Sequence, residues 1–265
     1  MRFNLSREID FYWFSGTGNT LTVVSRMRDR FEEKGVTVTL KKIEKEDPSS
    51  VDCGKIIGLG FPVALQGTSP LVWDFIDSLP ECSGTPVFMV DTLMTYSGGI
   101  IGPAGKILKR KGYMLLGAGE IKMPHNILVK RDASFANSKK IEKGLSKADS
   151  FASKIMDGHS VWRDIPFYSD FMSIFSKKIL IWKLFRKIIP LKVDHEKCTR
   201  CRLCERLCPV NNWTLNSDLN KMEWGNGCIY CMRCFSFCPV NAIQYGNKKN
   251  VQYAALKASD LMKEK

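Results

Sequence analysis

Short apolar segments alternate with amphipathic ones over the first 158 residues of the chain. Residues 56–60 form a continuous apolar run like that of a buried parallel strand, and residues 36–40 alternate apolar with polar positions. Between such runs, apolar side chains recur three or four positions apart, as on one face of a helix. The pattern predicts strands at 9–14, 36–40, 56–60, 86–91 and 113–121, and helices at 21–31, 71–79, 100–111 and 141–155.

Strands that alternate with helices indicate the α/β class, here with a doubly wound, parallel five-stranded sheet. Right-handed crossovers make one parallel sheet the simplest topology for this order. Ligands of such sheets bind beyond the carboxyl ends of the strands, near the point where the strand order reverses. The segments that follow the first, third and fourth predicted strands are therefore candidate ligand-binding loops.

The composition is that of a globular protein, with 44% hydrophobic and 25% charged residues in 265. The length fits one large domain or two modest ones, and the composition excludes collagen, coiled coil and general disorder. No apolar run reaches the roughly 18 residues of a membrane-spanning helix, and residues 1–8 lack the apolar region of a secretory signal. We therefore expect a cytoplasmic protein.

Eight of the ten cysteines lie between Cys198 and Cys238, in an internal repeat. Each copy reads C-x2-C-x2-C-x3-C-P-V-N, and the copies are offset by 30 residues. Disulfide frameworks are typical of short secreted chains, and structural zinc usually takes paired C-x2-C units with longer gaps, so both alternatives are disfavoured. The spacing is instead that of iron–sulfur ligands.

The cysteine region, residues 193–250, resembles two-cluster bacterial ferredoxins. The resemblance implies two 4Fe–4S clusters, each held by three cysteines of one copy and the last cysteine of the other. Cluster one would take Cys198, Cys201, Cys204 and Cys238, and cluster two would take Cys228, Cys231, Cys234 and Cys208. The family often has Ala-Ile after both C-P turns; the second copy has Ala242-Ile243, whereas the first has Asn212-Trp213.

A loop rich in glycine and hydroxyl groups, Ser15-Gly16-Thr17-Gly18-Asn19-Thr20, lies between the first predicted strand and helix. Backbone N–H groups at a helix N-terminus favour an anion, and hydroxyl groups add to the site. The loop lacks the Lys of a Walker motif, and Leu21 stands where the dinucleotide fingerprint has its third glycine. A glycine-rich turn without a ligand is the remaining alternative.

This loop resembles the FMN phosphate loop of flavodoxins, and the element order extends the resemblance over residues 1–158. The resemblance implies that Ser15, Gly16, Thr17, Gly18, Asn19 and Thr20 hold the phosphate of FMN. The flavin ring would lie between the next two loops, at Phe61, Pro62, Val63, Thr92, Tyr96 and Gly98. Flavodoxins often place an aromatic on each side of the ring; Tyr96 is a candidate, and the first loop lacks the usual Trp.

Three further residues have weaker signals. His125 follows the fifth predicted strand and could approach the ring, although an ordinary loop histidine is the favoured interpretation. Cys53 and Cys82 stand alone in the sequence, and we expect them to be free thiols or core residues.

Residues 159–192 form an apolar and basic connector, and residues 251–265 a basic C-terminal tail. In one continuous helix, Lys177 and Lys178 would point away from Lys183 and Lys187, which does not favour a single amphipathic membrane helix. Packing between the two domains is the favoured interpretation of the connector. Association with a membrane surface and contact with a partner protein stay open as alternatives.

The two domains together favour an electron-transfer protein that relays electrons between FMN and two 4Fe–4S clusters. The combination resembles flavodoxin–ferredoxin fusion proteins of anaerobes. The alternative is a flavin-dependent reductase of a small organic acceptor or quinone, with His125 or Tyr96 as proton donor. The formal net charge of +13 favours an acidic redox partner. A nucleic-acid-binding protein is disfavoured, because bound clusters and a flavin phosphate would reduce that charge.

Overall fold

A computed structural model describes residues 8–96, 98–127, 134–163, 168–246 and 251–263. Within these ranges the strands are β1 (Glu8–Trp13), β2 (Thr37–Lys42), β3 (Ile56–Pro62), β4 (Pro86–Leu93), β5 (Met114–Lys122), β6 (Leu191–Val193), β7 (Trp213–Asn216), β8 (Lys221–Trp224) and β9 (Ile243–Tyr245). The helices are α1 (Asn19–Glu32), α2 (Pro70–Ser78), α3 (Ile101–Arg110), α4 (Ser134–Met156), α5 (Tyr168–Lys177), α6 (Ile179–Ile188), α7 (Leu203–Leu207), α8 (Arg233–Ser236) and α9 (Ala258–Lys263).

The first five strands form one parallel sheet in the order β2-β1-β3-β4-β5. This is the flavodoxin-like order of doubly wound folds, so the predicted fold class is confirmed. Phe11 and Phe88 pack under α1 and α4 on one face, and Leu59 and Met89 lie in the core on the other. Burial of each such side chain contributes about 1.5–3 kcal/mol, which holds the carboxyl ends of the strands at one edge.

The cysteine region has a fold of its own, with two antiparallel two-stranded sheets, β6-β9 and β7-β8, and two short helices. The sequence repeat is also a repeat of the backbone. Non-glycine residues with positive φ occur as three pairs at the 30-residue offset: Arg200 and Tyr230, Arg202 and Met232, and Asn211 and Asn241. The predicted fold of a small α+β ferredoxin domain is thereby confirmed.

Cys53 and Cys82 are joined in a disulfide, with their Cα atoms 5.9 Å apart. The expectation of free thiols or isolated core residues is therefore wrong. The physical reason is the sheet order: β3 and β4 are parallel neighbours, so the segments that precede them lie at the same edge. The hydroxyl of Thr85, just before β4, donates to the carbonyl of Cys53 at 2.7 Å and ties the same two segments together.

The connector forms two helices, α5 and α6, with a break at Lys178, rather than one continuous helix. Its inner side contacts both halves of the molecule. The indole N–H of Trp73 on α2 donates to the hydroxyl of Ser176 at 3.0 Å, and Arg186 donates to the carbonyl of Cys228 at 2.9 Å. The connector thus packs partly between the two domains and keeps an outer side in contact with solvent.

Residues 251–263 pack back onto the α/β domain. Leu261 is 4% exposed in the core beside α1 and β2, and its carbonyl accepts from Lys42 at 2.6 Å. None of the helices within the described ranges combines the length and the apolar character that a membrane crossing requires.

Candidate functional site

The predicted phosphate loop joins β1 to the N-terminus of α1. Gly18 precedes the helix with φ of 97°, a left-handed conformation that glycine adopts without strain. The side-chain amide of Asn19 donates to the carbonyl of Pro124 at 2.8 Å, and the hydroxyls of Thr20 and Thr92 are 2.8 Å apart. The loop is therefore fixed to the last residues of β4 and to the segment that follows β5.

Ser15 provides a direct test of whether an anion fits this loop. Its side chain is fully buried, yet its hydroxyl has no hydrogen-bond partner within the described residues. A buried polar group without a partner costs about 1–3 kcal/mol, so such groups in native proteins usually meet a ligand or water. A phosphate oxygen at the N-terminus of α1 would supply the missing partner. The residues present fit the phosphate of FMN.

A cleft of about 220 Å³ opens beside the loop. Its lining residues are Ser15, Gly16, Thr17, Asn19, Thr20, Pro62, Val63, Leu65, Gln66, Thr92, Leu93, Met94, Thr95, Tyr96, Met123, Pro124, His125 and Asn126. None of these residues is Asp, Glu, Lys or Arg, so any anion here would meet neutral donors. Tyr96 lines the cleft and is 45% exposed.

Three residues predicted for cofactor binding do not line the cleft. Phe61 is fully buried in the core between the sheet and α2, because β3 continues to Pro62 and turns this side chain away from the loop. Gly18 and Gly98 are absent from the lining, and Gly18 packs instead against Leu256 of the tail. Placement thus does not support the ring contact expected for Phe61.

Leu65 and Gln66 line the cleft although the sequence interpretation did not single them out as contacts. Both have positive φ and form the tip of a tight turn between Ala64 and Gly67. The carbonyl of Gln66 accepts from the N–H of Gly99 at 2.7 Å, which ties this turn to the loop after β4. Neither residue is typical of such a turn, so sequence alone gave no signal.

His125 lines the cleft from the segment after β5. Its Nδ1 accepts a hydrogen bond from the backbone N–H of Ile127 at 3.0 Å, so in the neutral ring the proton resides on Nε2. Burial, with a smaller effect of Lys140, lowers the pKa of His125. This shift favours the neutral imidazole over the imidazolium.

The first cysteine site, site one, is a cavity at the outer end of the ferredoxin domain. Its lining includes Cys198, Cys201, Cys204 and Cys238, with Trp213 and Ile243 among the apolar walls. Cys201 is exposed. Burial raises the pKa of Cys204 to about 11, and interactions with Cys198 and Cys201 add smaller contributions in the same direction. These four thiols are the set expected for cluster one.

The second cysteine site, site two, lies deeper. Cys228 and Cys234 are 9% and 8% exposed, and both interact electrostatically with Cys208. Burial raises the pKa of Cys231 to about 12, against a lowering effect of Arg233. Thiolates rather than thiols bind iron, so cluster loading must overcome this cost of burial.

Backbone N–H groups point at the sulfurs of the last cysteine in each copy. Asn212 N–H donates to Cys208 Sγ at 3.2 Å, and Ala242 N–H donates to Cys238 Sγ at 3.3 Å. Such bonds favour thiolate and tune a cluster's potential, so the donor set fits iron–sulfur ligation. Among the described residues, no three His, Cys, Asp or Glu side chains could hold one metal ion.

Site two touches the phosphate loop. A Cβ atom on Gly16 would overlap the carbonyl oxygen of Cys231, so only glycine permits this approach. Arg233 donates to the carbonyl of Ser15 at 2.9 Å and forms a 2.6 Å ion pair with Glu44. Both partners of that pair are nearly inaccessible, at 7% and 5% side-chain exposure. Sequence spacing gave no signal for these contacts, which join residues about 190 to 220 positions apart.

Comparisons with known proteins bear on the two halves separately. Residues 197–243 match a family described as the 4Fe-4S dicluster domain. The chain is 40% identical over 58 residues to an uncharacterized protein of Methanocaldococcus jannaschii, and the match covers 22% of each chain. It is 35% identical over 75 residues to an archaeal glutamate synthase [NADPH] of Archaeoglobus fulgidus, and that match covers 26% of this chain and 15% of the synthase. It therefore spans less than a quarter of the length of either relative.

A shorter relative is matched over more of its length. The chain is 37% identical over 65 residues to pyruvate synthase subunit PorD of Methanocaldococcus jannaschii, covering 23% of this chain and 67% of that one. Among solved structures, oxidised flavodoxin 2 from Bacillus cereus has a TM-score of 0.44 at 19% identity, over 57% of this chain and 98% of that one. An archaeal flavodoxin has a TM-score of 0.40 at 13% identity, over 56% and 98%.

Proposed function

Because the chain joins a flavodoxin-like α/β domain to a ferredoxin domain of the 4Fe–4S dicluster family, we propose that it relays electrons between FMN and two 4Fe–4S clusters, to or from a redox partner in anaerobic metabolism. FMN can exchange one or two electrons and each cluster exchanges one, so the bound groups would supply the redox chemistry. The protein supplies their binding, spacing and electrostatic surroundings.

The observation that carries the proposal is the contact between site two and the phosphate loop. Gly16 lies directly against the backbone of Cys231, and Arg233 spans from the ferredoxin domain to Ser15. Electron transfer becomes steeply slower with distance, and this contact leaves no intervening layer of side chains between the two binding regions. Site two would therefore exchange electrons with the flavin, and site one would exchange them with site two.

Different residues of the α/β domain would bind the phosphate and the ring of FMN. Ser15, Thr17 and Thr20, with the backbone amides at the start of α1, would bind the phosphate. Thr92 and Tyr96 would position the ring, and Val63 would cover part of it. The N–H groups near Cys208 and Cys238 would hold the cluster ligands in their orientation.

The exposed end of site one is where a partner would dock. Cys201 is exposed there, and Arg200, Arg202 and Arg206 are exposed around it. Positive charge around an exposed redox centre speeds encounter with an acidic partner, and the rate then falls as salt screens the charges. An acidic protein that donates or accepts single electrons is therefore the proposed partner.

Anaerobic purification followed by quantification of iron, sulfide and flavin tests the proposal. About eight iron, eight sulfide and one FMN per chain are expected, with EPR signals from both clusters after reduction. Clusters without FMN would overturn the assignment of the Ser15–Thr20 loop. Zinc in place of iron after strictly anaerobic handling would overturn the redox function altogether.

A second candidate is a flavin-dependent reductase of a small organic acceptor or quinone. It is favoured by His125, which lines the cleft and whose neutral tautomer carries its proton on Nε2. Saturation kinetics with such an acceptor would support it, provided that His125→Gln lowers kcat at least tenfold while the FMN content stays unchanged. Unaltered turnover in that variant would leave only the relay.

A further inference from the structure

The two connector helices present an apolar surface to solvent. We define the outer face of α5 and α6 by its large exposed side chains. These are Phe171, Ile174, Ile179, Leu180, Leu184 and Ile188, which are 42–71% exposed. Leu180, Leu184 and Ile188 are four residues apart, so they form one row along α6. Exposed apolar side chains that occur singly need no explanation, but six on two consecutive helices mark an interaction surface.

The inner side of the same helices is firmly packed, so the outer face is a fixed feature of the fold. Trp182 is 1% exposed, and its indole N–H donates to the carbonyl of Ser176 at 2.8 Å. Arg186 is buried and bound to the carbonyl of Cys228. A Cβ on Gly99 would lie 2.7 Å from the backbone nitrogen of Ser173, so α5 also packs tightly on a loop next to the cleft.

The charges on this surface are all of one sign. Lys178, Lys183 and Lys187 are exposed, and Lys183 and Lys187 lie beside the row formed by Leu180 and Leu184. Asp170 is the one acidic residue in the sequence of 168–190, and its carboxylate is paired with Lys106 at 2.5 Å. Because the helix breaks at Lys178, the angles of one continuous helix do not apply to this segment. Lys183 and Lys187 instead lie on α6, the helix that carries the apolar row.

We propose that the outer face of α5 and α6 binds the surface of an anionic lipid bilayer. A helix that lies in a membrane interface combines a row of large apolar side chains with lysines that reach lipid phosphates. Ten residues span about 15 Å as a helix, so each helix is suited to lie in the interface and too short to cross it. The positive charge complements anionic headgroups, and this complementarity selects the lipid surface as occupant.

The test is co-sedimentation of the anaerobically purified, cofactor-loaded protein with vesicles. Vesicles of phosphatidylcholine and phosphatidylglycerol in equal parts should sediment the protein, and phosphatidylcholine alone should sediment much less. The paired substitution Lys183→Gln and Lys187→Gln should weaken binding to anionic vesicles roughly tenfold or more. Lys143→Gln with Lys147→Gln is the matched control, because these exposed lysines are also four residues apart on a helix.

The apolar contribution has its own variant. Leu180→Gln with Leu184→Gln should lower binding by at least tenfold, whereas Leu219→Gln, at a site that is 59% exposed in the ferredoxin domain, should leave it unchanged. Iron and flavin content must match the unaltered protein in every variant, which keeps this test separate from that of the relay.

Four results would overturn the proposal. One is no preference for anionic vesicles. Another is an equal loss of binding in the Lys143 and Lys147 control. The third is a dimer by light scattering that the Leu180 and Leu184 variant converts to a monomer, because the outer face would then bind a second copy. The fourth is unchanged vesicle binding in both the lysine and the leucine variants of the outer face, because the membrane contact would then lie elsewhere.

Discussion

The two copies of the cysteine run share a sequence pattern and a backbone, yet their surroundings are opposite. At the same left-handed positions, the first copy has Arg200 and Arg202, both exposed, and the second has Tyr230 and Met232. Met232 is 2% exposed. Polar residues therefore occupy the copy that faces solvent, and apolar residues occupy the copy that faces the α/β domain.

The comparison shows that the cysteine spacing determines the local backbone, whereas the residues between and around the cysteines determine whether a site is buried or exposed. Site two is buried against the phosphate loop, and Arg186 and Arg233 donate to carbonyls around it. Site one has an exposed cysteine and a rim of arginines. In the proposed relay, site two would therefore exchange electrons inside the protein, and site one would exchange them with a partner.

The largest effect is expected from removing a ligand at equivalent positions of the two copies. Cys204→Ser and Cys234→Ser should each lose about four iron atoms per chain. Cys234→Ser should also weaken flavin binding and lower the unfolding temperature, because site two supports the contact with Gly16 and Ser15. Iron and flavin analysis with thermal unfolding measures both. Equal effects of the two variants would contradict the proposed difference between the sites.

The next effect concerns the buried ion pair that only the second copy has. Arg233→Met leaves the Glu44 carboxylate buried without its cation, which should cost about 3–5 kcal/mol in the free energy of unfolding. Adding Glu44→Gln should recover part of that loss. Arg202→Met is the control in the first copy, where the pair with Glu205 is exposed and should contribute little. Urea unfolding of the loaded protein gives the comparison.

A smaller effect should follow from a single methyl group at the domain contact. In Gly16→Ala the new Cβ would overlap the carbonyl of Cys231, so the two domains must separate slightly at a cost of about 1–3 kcal/mol. Flavin affinity should fall while site one keeps its cluster. Gly54→Ala is the control, since its Cβ would meet only the side chain of Asp52 at 3.1 Å. An unchanged flavin affinity in Gly16→Ala would show that the contact does not support the loop.

The smallest effect is expected at one hydroxyl of the tail. Tyr253 donates to the side-chain oxygen of Asn19 at 2.7 Å, so Tyr253→Phe should weaken flavin binding by about 0.5–1.5 kcal/mol. Tyr113→Phe is the control, because the Tyr113 hydroxyl is buried and has no hydrogen-bond partner within the described residues. Fluorescence titration with FMN measures both, and equal affinities would exclude a role for the tail at this loop.

Much of the architecture was predictable because its signals are local. The apolar strands, the periodic helices and the cysteine spacing are patterns over a few residues each, and the sheet order and the small ferredoxin fold agree with them. The loop after β1 carries its own signal in glycine and hydroxyl groups. Of the predicted ring contacts, Pro62, Val63, Thr92 and Tyr96 line the cleft, because all four lie at or just after the ends of two strands.

The remaining features depend on contacts between distant segments. The Cys53–Cys82 disulfide requires that β3 and β4 be neighbours, and the Arg233–Glu44 pair requires a particular docking of two domains. The division of the connector into two helices could not be predicted, because the break at Lys178 has no proline or glycine in the sequence. Phe61 was assigned to a loop because strand ends are uncertain by a residue or two.

The packing of residues 251–263 has a consequence for how the molecule is made. Leu261 fills the core of the α/β domain beside a strand that was synthesised some 220 residues earlier, so that core is completed only after the iron–sulfur region has left the ribosome. Contacts of such long range form late and slowly. Folding of the α/β domain is therefore tied to the far end of the chain, because the segment that completes its core is reached only through the ferredoxin domain.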